Sequence, residues 1–172
     1  GTQYFQLVSE ILFSFLHFPI VEVSPADSVL ISDSAEERRR YLNRLISQMN
    51  RNYLGSVMRY NTALQQRNSL LKTNPTEEIL LIFDDMLDAA ATEIYNTRME
   101  VIARMRPIVE RYYAELSEER EAIDLEYRSH LQTAPLKELL LANRQKDFVN
   151  EHTTMGIHRD DVIFTIAEYP LR

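Results

Sequence analysis

Residues 76–112 have the sequence TEEILLIFDDMLDAAATEIYNTRMEVIARMRPIVERY. Apolar residues recur in this stretch every three or four positions, apart from a gap near Thr97. They are Ile79, Phe83, Met86, Ala90, Ile94, Val101, Met105, Ile108 and Tyr112. This spacing puts one apolar stripe along a face of an α-helix, and Thr76, with Pro75 just ahead of it, is a typical N-cap. We therefore predict one long helix, as in an antiparallel coiled-coil arm, kinked at Pro107 because proline lacks a backbone donor.

The segment before this stretch predicts two more helices. Ser34 and Glu37 have the spacing of a capping box at a helix start. Apolar residues then follow at helical spacing, at Leu42, Leu45, Ile46, Met49 and Tyr53. A break is expected at Asn50–Gly55, followed by a second helix. The apolar face of that helix consists of Val57, Tyr60, Leu64 and Leu71. We expect residues 35–116 to be almost wholly helical outside this break and the Thr73–Thr76 loop.

Extended segments are predicted on both sides of the helices. Phe18–Ser24 has the composition of a short buried strand that ends in a turn at residues 24–27. Ile123, Leu125 and Tyr127 alternate with polar residues, as in a half-buried strand. Residues 136–149 return to helical spacing.

The last part of the chain predicts two further extended segments, residues 152–158 and 162–167, paired antiparallel through a turn near Arg159 and Asp160. The predicted fold is α+β and helix-dominated, with a helical arm inserted between strands. We divide the chain into an N-terminal segment with a strand (1–33), the helical arm (34–116) and a strand, helix and strands (117–172).

Charge is distributed unevenly along a chain whose formal net charge is −7. Residues 36–72 hold eight basic and two acidic residues, whereas residues 77–126 hold five arginines and fourteen acids. This pattern fits two packed helical segments of complementary charge, or a basic segment that faces a polyanion. In the second case the candidate contacts are Arg38, Arg39, Arg40, Arg44 and Arg67.

The three consecutive arginines 38–40 lie near a helix start, where positive charge opposes the helix dipole. We therefore expect a compensating partner for them. It is either an acid of the same chain, such as Asp27 or Asp33, or a phosphate group.

The sequence predicts no catalytic, metal or cofactor site. The absence of cysteine excludes disulfides and thiolate ligands, and only three residues are glycine, far below the usual ~7%. No GxxxxGK[ST] phosphate loop is present. Asp84 and Asp85 are interpreted as solvated helix residues, and the four histidines have no metal-ligand spacing. The apolar run at 11–23 is too short for a membrane span, and no basic segment precedes it as in a signal peptide.

Residues 153–161, TTMGIHRDD, are unusually rich in polar and ionisable groups for a segment with apolar neighbours. They are either a tight turn whose Asp and Arg side chains satisfy the backbone and each other, or a motif that contacts nucleotide, partner or nucleic acid.

Three stretches of the chain closely resemble the RecF family. Residues 24–27 (SPAD) with 36–43 (EERRRYLN) are similar to its SPxD…xxRRxFLD segment. Residues 60–72 (YNTALQQRNSLLK) are similar to YxxxLxQRNxLLK. Residues 144–147 (RQKD), Thr153 and residues 156–161 (GIHRDD) are similar to RxxDxxxGxTxxGPHRDDL. The chain departs from these patterns at Asn43, Asn150 and Ile157, where the family usually has Asp, Gly and Pro.

The residues that carry the family motif are Ser24, Pro25, Asp27, Gly156, His158, Arg159, Asp160 and Asp161. The resemblance implies an ATPase head of the ABC/SMC type with a helical arm. It also implies a parent protein that uses ATP and Mg²⁺, dimerises when ATP binds, and binds DNA in recombinational repair. RecO- and RecR-type mediators are its implied partners, and the cytoplasm, with nucleoid association, is its implied location.

By the same resemblance, the Walker A motif lies before residue 1, and the signature and Walker B motifs lie after Arg172. The chain starts at Gly1 rather than Met, so we expect an internal fragment, either processed or excised, that does not hydrolyse ATP. The alternative is a stand-alone helical adaptor that binds protein through its arm.

Overall fold

A computed structural model describes residues 34–73, 75–118, 120–166 and 169–170 of the chain. The predicted strand at Phe18–Ser24 lies outside these residues, as do the acids Asp27 and Asp33 and the motif residues Ser24 and Pro25.

The described residues form an α+β fold dominated by helices. The α-helices are α1 (Ala35–Met49), α2 (Arg51–Leu71), α3 (Glu77–Ser117), α4 (Leu136–Ala142) and α5 (Arg144–Asn150). Short 3₁₀ helices lie at His130–Gln132 and Ile157–Arg159. The strands are β1 (Ile123–Arg128), β2 (Asp161–Ile166) and β3 (Tyr169–Pro170), in the order β1-β2-β3. None of the described helices is long and apolar enough to cross a membrane.

The described chain divides into two compact units. The first contains the described residues up to Leu45, Met99–Arg128 and the described residues from Asp161 onward. The second contains Ile46–Arg98 and Ser129–Asp160.

In the first unit, β1 pairs antiparallel with β2, and the register places Leu125 opposite Phe164. The alternation predicted for β1 is confirmed, because Ile123, Leu125 and Tyr127 are all buried. These side chains belong to the same unit as buried residues of α1 and of the second half of α3. The core positions from these two helices are Tyr41, Leu42, Leu45, Val101, Ile102, Met105, Val109 and Tyr113.

In the second unit, α2 packs antiparallel against the first half of α3. The contacts run in opposite directions along the two helices: Tyr53 meets Arg98, Arg59 meets Glu93, and Arg67 meets Asp84. The antiparallel helical arm expected from the spacing is thus present.

The helix boundaries differ from the prediction at the first break. Ser34 does cap α1, accepting from the Glu37 backbone N–H at 3.4 Å. However, α2 begins at Arg51 and includes Gly55. The break is this short because the Asn50 side chain accepts from the backbone N–H groups of Asn52 and Tyr53, at 3.0 and 3.1 Å. One capping residue therefore lets the second helix start at once.

The buried face of α3 agrees with the prediction in part. Ala90, Ile94, Val101 and Met105 are buried as predicted. In the first turns the prediction is wrong, because Ile79 and Met86 are 41% and 47% exposed and the buried positions are Leu80, Asp84 and Leu87. The error arises because a charged residue, Asp84, occupies a buried position there. The gap near Thr97 is filled by a second buried charge, Arg98. The helix continues past Pro107, which lies on its exposed side.

The strand predicted at 152–158 is also wrong. This segment is a loop that leads into the 3₁₀ helix, and β2 pairs with β1 instead. The physical reason is that its polar groups hydrogen-bond to side chains of α2, α3 and α5, so no ladder forms. The single helix predicted over 136–149 is two helices, α4 and α5, divided at Asn143.

Candidate functional site

Arg67 lies at the centre of a buried charge network in the second unit. Its Nε–H donates to Asp84 Oδ1 at 2.7 Å. Its Nη1–H groups donate to Asp147 Oδ2 and Thr153 Oγ1, both at 2.8 Å. The side chains of Arg67, Asp84 and Asp147 are all 0% exposed. One guanidinium thus joins α2 to α3, to α5 and to the loop after α5.

Arg144, at the start of α5, extends this network. Its Nη2–H donates to Asp84 Oδ2 at 2.7 Å, and its Nη1–H donates to Glu77. Each carboxylate oxygen of Asp84 therefore accepts from a different arginine. The cations of Arg67 and Arg144 balance the carboxylates of Asp84 and Asp147, so that attraction and hydrogen bonding offset the cost of removing these charges from water.

The loop after α5 is held by paired hydrogen bonds. Asn68 Oδ1 accepts from the backbone N–H and the hydroxyl of Thr153, at 2.8 and 2.7 Å. Asp147 Oδ1 accepts from the same two groups of Thr154, at 2.8 and 2.7 Å. Because these bonds use both backbone and side chain, they define the path of the loop as well as its attachment.

A second buried ion pair joins Arg98 of α3 to Asp160. Arg98 Nη1–H donates to Asp160 Oδ2 at 2.8 Å and to the carbonyl oxygen of Ile157 at 3.2 Å. Arg98 Nε–H donates to the Tyr53 hydroxyl at 3.0 Å. The two charged side chains are 2% and 1% exposed. This pair holds the 3₁₀ helix against both long helices.

Tyr60 of α2 contacts the same 3₁₀ helix. The Tyr60 hydroxyl lies 2.8 Å from His158 Nδ1, and His158 Nε2 lies 3.1 Å from the carbonyl oxygen of Thr153. A carbonyl only accepts, so Nε2 carries the proton and Nδ1 accepts from Tyr60. Gly156 has φ +133°, and a Cβ atom there would collide with the Tyr60 hydroxyl. Glycine is therefore required at this position both for its backbone angle and for the close approach.

The two buried tyrosines stay neutral in this setting. Burial raises the pKa of Tyr60 well above its usual range, and the nearby Asp160 carboxylate raises it further. Burial also raises the pKa of Tyr53, although Arg98 opposes the effect. Tyr60 therefore stays protonated, and its hydroxyl is the donor in the hydrogen bond to His158.

The arrangement of these charged groups is suited to holding the helices and the loop in fixed positions. Every charged group of these pairs bonds to a group of opposite charge. The carboxylates are those of Asp84, Asp147 and Asp160, and the guanidinium groups are those of Arg67, Arg98 and Arg144. Among the described residues, no cluster of His, Asp and Glu has the arrangement of a metal site. The effect of the charge network is to position the Thr153–Asp160 segment on α2 and α3.

The arginines predicted as nucleic-acid contacts have different surroundings. In α1, Arg38 makes a bidentate pair with Asp161, with Nε and Nη2 at 2.8 and 2.7 Å from the two carboxylate oxygens. Arg39 is partly buried. Arg40 is 57% exposed and pairs with Glu36 and Glu37. The described acids that compensate the triple arginine are thus Asp161, Glu36 and Glu37.

Arg44, Arg67 and Asp84 differ in their exposure. Arg44 is exposed and has no ion pair with the described residues. Arg67 is not accessible to phosphate, because it is completely buried against Asp84 and Asp147. Asp84 was predicted to be solvated, and this is wrong, since it is 0% exposed. Asp85 is exposed as expected, with a surface pair to Lys137.

The motif stretches contact one another. Tyr60, Arg67 and Asn68 of the second stretch bond to His158, Asp147 and Thr153 of the third. In the first unit, Arg38 of the first stretch bonds to Asp161 of the third. Most of the motif side chains thus face inward. Arg159 is the exception: it is exposed and has no ion pair with the described residues.

Sequence reasoning missed Arg98, Tyr53 and the role of Asp147. The available signal was a charged residue at a position where the helical period of α3 requires an apolar one. Asp84 and Arg98 are such residues, flanked by Leu80, Leu87 and Ile94 on the same stripe. A charge at a core position indicates a buried partner elsewhere in the chain.

Comparison with known proteins identifies the relatives of this fold, although no family model matches the chain. The DNA replication and repair protein RecF of Phocaeicola vulgatus is 35% identical over 156 residues, covering 90% of this chain and 42% of that protein. The same-named protein of Bacteroides fragilis is 36% identical over the same shares.

Solved structures agree with the sequence relatives. A structure of the recombination mediator protein RecF with ATP, in the RecFOR pathway, superposes with a TM-score of 0.81 at 28% identity. It matches 92% of this chain and 46% of that one. A second, described as RecF-ATPrS, gives a TM-score of 0.78 at 27% identity, over 86% and 43% of the two chains. The chain thus belongs to the RecF family and spans less than half the length of the relatives that it matches.

Proposed function

We propose that this chain forms the helical arm and adjoining strands of a RecF-like protein that binds DNA and ATP in the recombinational repair of gapped DNA. The observation that carries the proposal is the match to RecF proteins at 35% identity over 90% of the chain. The contacts between the motif stretches support it, because Tyr60, Arg67 and Asn68 of one family-like stretch bond to residues of another and help to hold the second unit together.

In this proposal the arm contributes a rigid framework. The buried pairs of Arg67 and Arg98 connect α2, α3, α5 and the Thr153–Asp160 segment with charge-assisted hydrogen bonds, which are stronger and more directional than neutral ones.

The proposed DNA contact is the exposed side of α1. Arg40 and Arg44 are one helical turn apart, so their side chains lie on the same face. Arg44 has no ion pair with the described residues. The pairs that Arg40 makes with Glu36 and Glu37 are solvent-exposed, at distances of 3.1 and 2.7 Å, and such pairs are worth little. Both guanidinium groups are therefore available to phosphate at small cost.

Nucleotide binding is assigned to the parent and not to this segment. The described glycine with a positive φ, Gly156, has its open side occupied by the Tyr60 hydroxyl, so its backbone does not offer a phosphate cradle. ATP and Mg²⁺ would be held by parts of the parent that this chain does not include. We expect isothermal titration calorimetry of the chain with Mg-ATP to detect no saturable binding, and micromolar affinity would contradict this assignment.

DNA, mediators of the RecO and RecR type, and a second copy of the parent are the proposed partners. The structures described as belonging to the RecFOR pathway support the mediators. A cytoplasmic, nucleoid-associated location is part of the same proposal.

The DNA contact is tested by charge reversal in the intact protein. The double variant Arg40→Glu/Arg44→Glu is compared with Arg111→Glu, which reverses an exposed arginine of α3. We expect the double variant to lose affinity for gapped duplex DNA and to show a smaller slope of log affinity against log salt, because two phosphate contacts are removed. The control variant should retain the DNA affinity and the salt slope of the unaltered protein.

Fluorescence anisotropy at several salt concentrations measures these quantities, and thermal melting confirms that each variant is folded. Equal affinity and equal salt slope for a folded double variant would overturn the assignment of DNA contact to α1.

A protein-binding adaptor is the second candidate function. One observation favours it specifically: an exposed apolar stripe on the first half of α3.

A further inference from the structure

Helix α3 carries a second apolar stripe outside its buried face. Ile79, Ile82 and Met86 are 41%, 60% and 47% exposed, and Ala89 is exposed as well. Their separations of three, four and three residues are those of the a and d positions of a coiled-coil heptad. Single exposed apolar residues need no explanation, but a run at this spacing forms a continuous seam for another helix.

This seam cannot be covered by the helix that already packs on α3. A residue of an α-helix is rotated by about 100° from the previous one. Ile82 and Met86 therefore lie nearly opposite Asp84, which is 0% exposed and faces Arg67 of α2. The core stripe of Leu80 and Leu87 points toward the interior of the second unit, and the seam points toward solvent.

The charge along the seam is one-sided. Glu78 and Asp85 occupy the g positions next to the a residues Ile79 and Met86. Glu78 is exposed and has no ion pair with the described residues. Asp85 pairs with Lys137, but the two side chains are 59% and 42% exposed, so the pair is weak and exchangeable. The e positions on the other side are Phe83 and Ala90, which carry no charge.

This arrangement disfavours a second copy of the chain as the occupant. In an antiparallel pair of identical seams, the g positions face each other, so the acids of the two copies would repel. In a parallel pair, g faces e, and Glu78 and Asp85 would meet only Phe83 and Ala90. Residues at e and g set partner choice in coiled coils. A helix with basic residues at the flanking positions satisfies the acids in either orientation.

We propose that Ile79, Ile82, Met86 and Ala89 form a docking seam for an amphipathic helix of another protein, with apolar a and d residues and Lys or Arg facing Glu78 and Asp85. Three turns of α3 are used, which is the length over which a helix-in-groove contact places its anchors. This protein contact is additional to the proposed DNA contact, because it is made by α3 and does not depend on α1.

The test uses two designed peptides of three heptads, about 21 residues each, with Leu at a and d. One has Lys at e and g, and the other has Glu. Like charges at e and g disfavour pairing of each peptide with itself, so both remain available as monomers. We expect the Lys peptide to bind the chain and the Glu peptide to bind at least about tenfold more weakly, by fluorescence anisotropy at low salt.

Two matched double variants locate the binding site. Ile82→Asn/Met86→Asn changes the seam, and Leu54→Asn/Met58→Asn changes an exposed apolar pair of α2, where the side chains are 43% and 63% exposed. All four residues are exposed, so both variants should melt close to the unaltered chain. The seam variant should lose binding of the Lys peptide by about tenfold or more, and the α2 variant should bind normally.

Reversal of the acids provides the charge test. Glu78→Lys/Asp85→Lys should weaken the Lys peptide and strengthen the Glu peptide. The proposal is overturned if the folded chain binds neither peptide, if it binds both equally, or if the seam and α2 variants lose binding alike. Sedimentation showing a dimer of the chain that the seam variant abolishes would also overturn it, in favour of a second copy. None of these outcomes depends on DNA binding by α1.

Discussion

Arg67 Nε donates to Asp84 Oδ1 at 2.7 Å, and both side chains are 0% exposed. The two residues belong to different helices of the arm, and each also bonds to α5, through Asp147 and Arg144 respectively. The pairing of α2 with α3 is therefore specified by charge at this level of the arm, in addition to the apolar residues on either side of it.

We predict that Asp84→Ala destabilises the chain by about 3–5 kcal/mol, because it leaves the buried guanidinium of Arg67 without one of its carboxylates. Asp85→Ala is the matched control, since the adjacent carboxylate is exposed and should cost no more than about 1 kcal/mol. Urea denaturation followed by circular dichroism measures both. Equal stabilities for the two variants would show that the buried pair contributes nothing.

Gly156→Ala should destabilise the chain by roughly 1–3 kcal/mol, from a strained backbone angle, with an added clash against Tyr60. Tyr60→Phe removes the clashing hydroxyl but also its hydrogen bond to His158. We expect the double variant to be less destabilised than the sum of the two single variants, because the clash disappears with the hydroxyl. Simple additivity in this cycle would argue against the contact.

Arg38→Ala should cost about 1–3 kcal/mol through loss of its bidentate bond to the partly buried Asp161. Arg40→Ala removes an exposed pair on the same helix and should change stability by less than about 1 kcal/mol. Chemical denaturation distinguishes the two. If both variants are equally stable, the bond between Arg38 and Asp161 does not hold the first and third motif stretches together.

Alkaline pH should weaken the second unit through Tyr60. Its pKa is raised above the ordinary 10.0 in the folded chain, so the folded state holds the proton more tightly than the unfolded state. The resulting stabilisation is fully present below pH 10.0 and is lost as the pH rises toward the folded value. The free energy of unfolding should therefore fall above about pH 10, and fall less in Tyr60→Phe.

Urea denaturation at a series of pH values checks this slope. Tyr112→Phe changes a tyrosine outside the network and should follow the unaltered chain. If the free energy of unfolding falls with pH equally in the unaltered chain and in Tyr60→Phe, Tyr60 is excluded as the source of the pH dependence.

Much of the secondary structure followed from local patterns. The helices of the arm, the cap at Ser34 and strand β1 were predicted because helical spacing, capping residues and period-2 alternation involve neighbours within a few residues. The family was recognised from three short stretches, and the curated relatives confirm it. The candidate site was predicted only in part: Gly156, His158 and Asp160 were singled out without their partners.

The amino-acid order alone thus established where α1, α2, α3 and β1 run, which class of fold they make and which family they resemble. Three features depended on tertiary contacts: the inward-facing side of α3 in its first turns, the burial of Asp84 and Arg98, and the loop at 152–160. Arg67 and Asp147 are separated by 80 residues. A charge can occupy a core position only if such a distant partner neutralises it, and local spacing carries no information about that partner. For the same reason, Ile79 and Met86 of the exposed seam were predicted to be core positions.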